Sequence, residues 1–287
     1  MPRISVVVSH YDRPALLAQA LESIAVQTRR DFEVIVVNDH GADSAPLVEA
    51  FAGRIAPIPV RYDYRPSNEG VAATRNRGLA LARGDFIAYL DDDDLWRPGH
   101  LERLAGALEA EPACALAYGD AEVLRLVREP GVAWRVADRR TLAVPFDLDD
   151  LKRDDFIVPG GMVHRRALYD RVGPYDTSLG VSDDWDWLLR VAATEGAGAF
   201  VRVPEIVITV RIFGEGINLS ATSNVARRAA LDTIERRHGT PHLEPKTFWE
   251  VAGTYLARAE LSRGRERAPG PAPPAAPRVR DSGDDRA

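Results

Sequence analysis

The densest chemistry in this 287-residue chain lies in YLDDDDLWRP, where an apolar stretch ends in four carboxylates, Asp91, Asp92, Asp93 and Asp94. Four adjacent anions repel one another, so a fold keeps them most readily where a cation sits. Carboxylate oxygens suit hard ions such as Mg2+ or Mn2+, which also bind phosphate. The competing interpretation is a solvated acidic loop, the usual fate of a charge run. A second acidic pair, Asp183 and Asp184 in SDDWDWLLRV, precedes an amphipathic segment bearing Trp185, Leu188, Leu189 and Ala192. Carboxylates there cap a helix and complement its dipole. The same position also fixes a carboxylate rigidly enough to act as base toward a hydroxyl. The loop VNDHGADS is either a plain turn or one whose Asp39 accepts a hydrogen bond from a nucleobase N–H. Tyr11 in SHYDRP either stacks on a planar ligand or covers a sheet edge.

These groups need elements to position them. Residues 4–8 are β-branched and mostly apolar on both faces, and Pro14 then opens a segment with Leu16, Leu17, Ala20, Leu21 and Ile24 at helical spacing. Strands are expected at 32–37, 60–64 and 85–90, with helices at 46–51 and 71–82. Strands that are apolar throughout and alternate with helices indicate a parallel sheet covered on both faces. Ligands of such sheets sit beyond the carboxyl ends of the strands, which brings the loops 9–13, 38–44 and 91–94 into one cleft. Farther on, a helix at 100–108, a strand at 114–118, a strand around 157–164, a helix at 166–172 and a helix at 185–193 are expected. A last strand is expected at 206–211, and helical spacing returns at 224–237 and 248–261. Residues 123–153 show no clear period. The end of the sequence, rich in Pro, Ala, Gly and charge, reads as a disordered tail.

Composition excludes several classes. The formal net charge is -6 and the sequence pI about 5.6, so there is no basic field for nucleic acid or an anionic membrane. The single cysteine, Cys114, supports neither an intrachain disulfide nor a cysteine-rich zinc site, and a cytoplasmic location is expected. No apolar run approaches the roughly 18 residues of a membrane span.

The segments ISVVVSHYDRP, DFEVIVVNDHGADS, SNEGVAATRNRGLALARGDFIAYLDDDDLW and SDDWDWLLR resemble, in order and spacing, family 2 glycosyltransferases of the GT-A fold. The resemblance covers about residues 1–220. It implies a Rossmann-like, mostly parallel α/β sheet flanked by helices, with 1–115 the nucleotide-sugar half and 116–220 the acceptor half of one domain. Residues 221–263 would form a helical appendage and 264–287 the tail. It further implies that Tyr11 and Asp39 hold the nucleotide base beside Ser9. Asp91 and Asp93 form the D-x-D motif, with Asp93 the ligand of Mn2+ or Mg2+. Asp92 lies toward the ribose or donor sugar, and Arg75 and Asn76 flank the donor. Asp184 matches the general base, with Asp183 in the preceding acidic position. Asp183, His164, Trp185 and the pair Gly160 and Gly161 are candidates on the acceptor side.

The implied reaction moves a sugar, most readily from a UDP-sugar, to a saccharide, lipid-linked or small-molecule hydroxyl with inversion. The chain departs from the family pattern at Asn38, at His40 and Gly41, and at Phe213, where many members carry a histidine. The metal is therefore left to Asp93, diphosphate oxygens and water. Two alternatives are an inert sugar- or nucleotide-binding module of the same fold and a sugar nucleotidyltransferase. The latter should carry a Gly-rich phosphate loop where this chain has SHYDRP.

Overall fold

The computed structural model describes residues 2–128, 134–214 and 224–266, with backbone alone at 224 and 259–266. Its frame is a parallel ladder of β3 (Val60–Tyr64), β2 (Phe32–Asn38), β1 (Ile4–His10) and β4 (Phe86–Asp91). Every residue of β1 and β2 is buried, as expected for β-branched strands covered on both faces. The helices α1 (Pro14–Ala25), α2 (Ala45–Ile55) and α3 (Val71–Leu81) are the crossovers. Pro14 starts α1 at a position where a missing N–H costs no helical bond.

Helix α3 lies close on β1 because Gly78 faces Val7. A Cβ at Gly78 would stand 2.2 Å from a Val7 methyl. That contact sets the height of Arg75, one turn earlier on the same helix.

Beyond β4 the sheet becomes mixed. Its order is β3-β2-β1-β4-β8-β6-β9-β5, with β7 paired to β6. Here β5 is Leu95–Trp96, β6 Leu116–Val127, β7 Arg135–Leu142, β8 Met162–Arg165 and β9 Phe200–Phe213. Strand β8 is antiparallel to both β4 and β6, so one sheet runs through both expected halves, and only its first part is the uniform parallel ladder.

Three elements differ from expectation. Residues 159–161 form a single 3-10 turn, and β8 begins only at Met162, because Pro159 cannot donate to a ladder. The last strand runs from Phe200, not 206. Pro204 and Glu205 interrupt its apolar period where its register against β6 shifts. Within 123–153, where no period was visible, the structure has the end of β6, β7 and the one-turn helix α5 (Leu148–Leu151).

Helices α4 (His100–Ala110), α6 (Ala167–Val172) and α7 (Asp183–Glu195) complete the domain. Helix α8 (Asn224–His238) is tied to α7 through Arg237 and His238 on Asp186. Helix α9 (Phe248–Glu266) docks on β7, where Arg140 donates to the Trp249 carbonyl at 2.7 Å. The helix thus extends three residues into the expected tail, and 267–287 lie outside the described residues. Among the described residues no helix is long and apolar enough to cross a membrane.

Candidate active site

Three loops meet at the carboxyl ends of β1, β2 and β4, and short hydrogen bonds knit them together. The Asp39 amide donates to the His10 carbonyl at 2.8 Å and the Asp92 amide to the Ser9 carbonyl at 3.1 Å. The Ala42 amide reaches Asp12 at 3.1 Å. Gly41 passes so near that a Cβ would stand 2.3 Å from the Asp12 nitrogen, which explains the glycine. His10 joins the loops from below, with Nδ1 2.7 Å from Asp92 and Nε2 3.0 Å from the Ser44 hydroxyl.

The acidic run divides by surroundings. The Asp92 side chain is wholly enclosed, held by His10, by the Tyr11 amide at 3.2 Å and by Arg13. It therefore braces the loops, and its oxygens face protein groups rather than the cleft expected for a donor-sugar ligand. Asp93 pairs with Arg13 at 2.9 Å and keeps a small exposed surface. Asp94 is buried and accepts from the Arg211 amide at 3.0 Å. Burial, followed by the charge of Asp93, holds the Asp94 carboxyl well above the ordinary carboxylate range. Arg211 also donates to the Asp93 carbonyl and to Gln19.

Asp91 belongs to the other side of the cleft. One of its oxygens accepts from Arg75 at 2.9 Å, while the other is buried without a hydrogen-bond partner among the described residues. Arg75 reaches through to Asp183 at 3.1 Å, and its guanidinium lies 5.8 Å from the Tyr175 ring centre. Burial opposes the charge on Arg75. The fields of Asp91, Asp183 and Asp184 outweigh it and raise its pKa well above the ordinary value. Burial pushes Asp183 up to about 7 against the pull of Arg75. The same balance of burial against Arg75 leaves Asp184 raised. Asp184 stands in the first turn of α7, partly exposed, and one oxygen accepts from the Trp185 amide at 3.0 Å. Raised carboxyl groups beside a buried arginine in a cleft are a common mark of functional sites.

The remaining sequence candidates divide as well. Tyr11 is 48% exposed at the cleft, with its ring available for stacking. The Ser9 hydroxyl is buried and has no hydrogen-bond partner among the described residues. Asp39 accepts from the amides of Glu69 and Gly70, at 2.7 Å in the latter case, and so fixes the entry into α3. Asn76 uses both ends of its amide on the backbone of Tyr175, at 2.8 and 2.9 Å, which makes it a fastener of that loop. Asn38 similarly braces its own loop through Ala42, Gly41 and Tyr62.

His164 lies outside the cleft. It is fully buried, bonded to the Tyr89 hydroxyl at 2.9 Å and to its neighbour's carbonyl, and burial lowers it to about 4. A histidine so enclosed has both ring nitrogens engaged within the protein. Gly160 and Gly161 are buried too, and the Gly160 carbonyl accepts from the Trp96 indole at 2.7 Å, so the pair serves packing. Trp185 spends its N–H on the Leu151 carbonyl at 2.7 Å and presents only ring surface. Phe213 stacks edge-on with Trp134 at 5.0 Å, and residues 215–220 of its loop lie outside the described residues.

Sequence reasoning missed Arg13, Arg211 and His10, which supply the positive and hydrogen-bonding partners of the acidic run. Their signal was present: an arginine within the apolar stretch 206–213, and a basic residue in the loop facing four aspartates. Carboxylate oxygens such as those of Asp91 and Asp93 are of the type that hard divalent cations take, and among the described residues no three acidic, histidine or cysteine side chains are grouped to hold one. The orphaned Asp91 oxygen fits such a ligand or a hydroxyl donor.

The chain is also similar to known proteins. A glycosyltransferase named YwdF from Bacillus subtilis is 32% identical over 91% of this chain and 92% of its own length. A PGL/p-HBAD biosynthesis glycosyltransferase of Mycobacterium bovis is 30% identical over 66% of this chain and 69% of its own. Among solved structures, a mannosyltransferase from Pyrobaculum calidifontis in complex with GDP-Man and Mn2+ superposes with a TM-score of 0.62 at 20% identity, covering 92% of this chain and 80% of that one. TarS of S. aureus in complex with UDP-GlcNAc gives 0.59 at 18% identity, over 93% and 74%. These likenesses establish the GT-A fold. Residues 5–162 match the profile described as Glycosyl transferase family 2, and the chain is therefore a member of that family of glycosyltransferases.

Proposed function

We propose that this glycosyltransferase takes its sugar from a nucleotide-sugar, most readily a UDP-sugar, and passes it to an acceptor hydroxyl by a single inverting displacement with Asp184 as general base. The observation that carries the reading is Arg75. It spans from Asp91 at the end of β4 to Asp183 at the start of α7, and so ties the donor end of the sheet to the turn bearing Asp184.

Tyr11 offers a stacking face to the base, and Asp39 shapes the loop beside it. Asp93, with Asp91, is the pair that would hold Mn2+ or Mg2+. A divalent ion there supplies positive charge to the leaving diphosphate. Arg13 contributes charge of the same sign at the same place. Asp184 takes the hydroxyl proton as the acceptor oxygen attacks the face opposite the leaving group. Burial raises its pKa against the pull of Arg75, which makes it a stronger base than a solvent-exposed carboxylate. The acceptor is a saccharide, a lipid-linked glycan or a small molecule.

The test is calorimetric titration with UDP, dTDP and GDP, each with Mn2+ and with EDTA, on the native protein and on Asp184→Asn. One nucleotide is expected to bind in a metal-dependent way and equally to both proteins. Asp184→Asn is expected to lose turnover by ~10² to 10⁴, the usual contribution of a positioned base. Metal-independent binding of every nucleotide, or near-native turnover by the variant, overturns the reading.

A further inference from the structure

Arg75 reaches the first turn of α7 through Asp183, and helix α8 reaches the same turn through Asp186. The Asp186 side chain, in SDDWDWLLRV, is wholly enclosed. One of its oxygens accepts from Arg190 at 2.9 Å, and the other from Arg237 at 2.7 Å and His238 at 2.9 Å. Burial opposes the charge of this carboxyl, and donation from His238, Arg190 and Arg237 outweighs burial and holds it below the ordinary range. Arg237 does more than neutralise Asp186. Its other terminal nitrogen donates to Asp176 at 2.8 Å, and Asp176 follows Tyr175, whose backbone Asn76 fastens to α3. One guanidinium from α8 thus joins the two ends of the segment 176–186.

The segment so closed is strained. Gly180 has φ 70° and Ser182 φ 58°, both left-handed, and a serine adopts that conformation only where its surroundings impose it. Ser182 leads directly into α7. Its side chain makes no capping bond, while its carbonyl accepts from the Asp186 amide at 3.1 Å. Asp184 stands two residues beyond Ser182, inside the span that Arg237 closes. Any relaxation of Ser182 toward an ordinary backbone conformation shifts the start of the helix, and the Asp184 carboxyl moves with it. A misplacement of about 1 Å at a reacting group costs on the order of a hundredfold in rate.

We propose that Arg237 is a positioning residue for the transfer reaction: by bridging Asp176 and Asp186 it holds the left-handed turn at Ser182 and so fixes where Asp184 meets the acceptor hydroxyl. The proposal rests on Asp184 being the base, and Arg237 acts through the turn rather than on substrate. Helix α8 is then part of the catalytic unit and not a detachable appendage. The Arg237 side chain is 37% exposed, so its contribution to global stability is modest, whereas its leverage on the strained turn is local. Deleting it leaves Asp186 with Arg190 and His238, so no buried charge is stranded and the fold should survive.

The experiment is a double-mutant cycle on the full chain. Release of nucleotide is followed with Mn2+ and each of UDP-glucose, UDP-galactose, UDP-N-acetylglucosamine and GDP-mannose, with water or a methyl glucoside as acceptor, and nucleotide affinity is measured by calorimetry. Arg237→Met is expected to lower kcat by about tenfold to a hundredfold with nucleotide affinity unchanged. Arg237→Lys should recover part of the loss, since an ammonium keeps the charge but not the two-ended fork. In an Asp184→Asn background, Arg237→Met should change kcat by less than about twofold, because displacing a turn that no longer carries a base costs nothing.

Asp176→Asn guards against a folding defect, since it opens the bridge while leaving all three donors on Asp186. It should lower kcat by about tenfold, again with nucleotide affinity unchanged. Equal losses from Arg237→Met with and without Asp184 overturn the proposal and leave Arg237 a general stabiliser. Native turnover by both Arg237→Met and Asp176→Asn, or a nucleotide affinity that falls in step with turnover, overturns it as well. Near-native turnover by Asp184→Asn strikes the assignment of the base itself, and silence of the native protein toward every donor strikes the donor reading. In either case the proposal falls with them.

Discussion

Replacing Arg75 with methionine tests the electrostatic centre of this site. The side chain is nearly isosteric along its stem, so the change removes a charge and its hydrogen bonds with little loss of packing. Its partners differ in burial: the Asp183 side chain is 3% exposed and that of Asp91 27%. Breaking a buried ion pair by deleting one member costs about 3–5 kcal/mol, because the other charge is left uncompensated. Asp91 is wet enough to contribute little, so the lower end, about 3 kcal/mol, is expected near pH 8.

The loss should depend on pH, and its sign follows from Asp183. With a folded pKa of about 7, above the ordinary carboxylate value, the native state holds a proton that the unfolded chain has released between about pH 4 and 7. Native stability therefore falls as pH rises through that window and levels off above it. Without Arg75 the folded pKa moves higher still and the fall continues past pH 7, by up to about 1.4 kcal/mol per pH unit. At pH 6 both proteins carry a neutral Asp183, and the variant loses only its weaker bond to Asp91.

Thermal unfolding followed by circular dichroism should show a gap on the order of 5–10 °C at pH 8, narrowing at pH 6. Arg75→Lys should recover only part of it, since one ammonium cannot span two carboxylates as a guanidinium fork does. Equal gaps at both pH values, or a variant that melts with the native protein, would refute the reasoning.

Two further substitutions probe the frame. Arg13→Gln removes the cation that spans Asp92 and Asp93, and should tighten binding of Mn2+ in the absence of nucleotide by about threefold to tenfold, as expected for one partly exposed ion pair. Unchanged affinity by electron paramagnetic titration would show that Arg13 does not compete with the ion. Gly78→Ala drives a methyl into Val7 and should destabilise by about 1–3 kcal/mol while displacing Arg75. A melting temperature and turnover equal to the native protein's would show that α3 adjusts without cost.

The first part of the sheet was legible because its signals are local. Mostly apolar, β-branched strands such as 4–8 and 32–37, with Pro14 opening the next helix, state their own structure. The meeting of the three loops followed from topology alone, since parallel strands present their carboxyl ends together. The later half was opaque for an equally physical reason. Strand β7 exposes most of its residues and is charged along its length, so no apolar period marks it, and β9 hides behind Pro204.

The limits at the site are instructive in the same way. Residue type identified the carboxylates, but which of them is enclosed as a brace and which reaches the surface is a property of packing. Asp92 and Asp93 are adjacent in sequence, yet one is enclosed by His10 and the other meets the surface. Asn76 and His164 have residue types that suit binding, but their hydrogen bonds are spent on Tyr175 and Tyr89. No spacing rule distinguishes an amide that grips a ligand from one that grips a loop.

The sequence leaves the acidic run either a cation site or a solvated loop, and the structure supplies cations from the chain itself. Arg13, Arg75 and Arg211 come from a loop, a helix and a distant strand, and each engages a different part of the segment from Asp91 to Asp94. The repulsion among the carboxylates is thus offset within the folded protein, which predicts a fold that does not depend on a metal. This separates the protein from structural metal sites, where the binding free energy of the ion is folding free energy and chelators unfold the domain. Protein treated with EDTA should therefore melt within about 2 °C of the same protein in dilute Mn2+, because an ion that binds only modestly without nucleotide stabilises by no more than RT ln(1 + [L]/Kd). If the proposed site is right, with diphosphate oxygens completing what Asp93 begins, nucleotide and Mn2+ together should raise the melting temperature by more than the sum of their separate effects. A collapse of the fold in EDTA would mean that the arginines do not balance the run, and that the ion is part of the structure before it is part of the reaction.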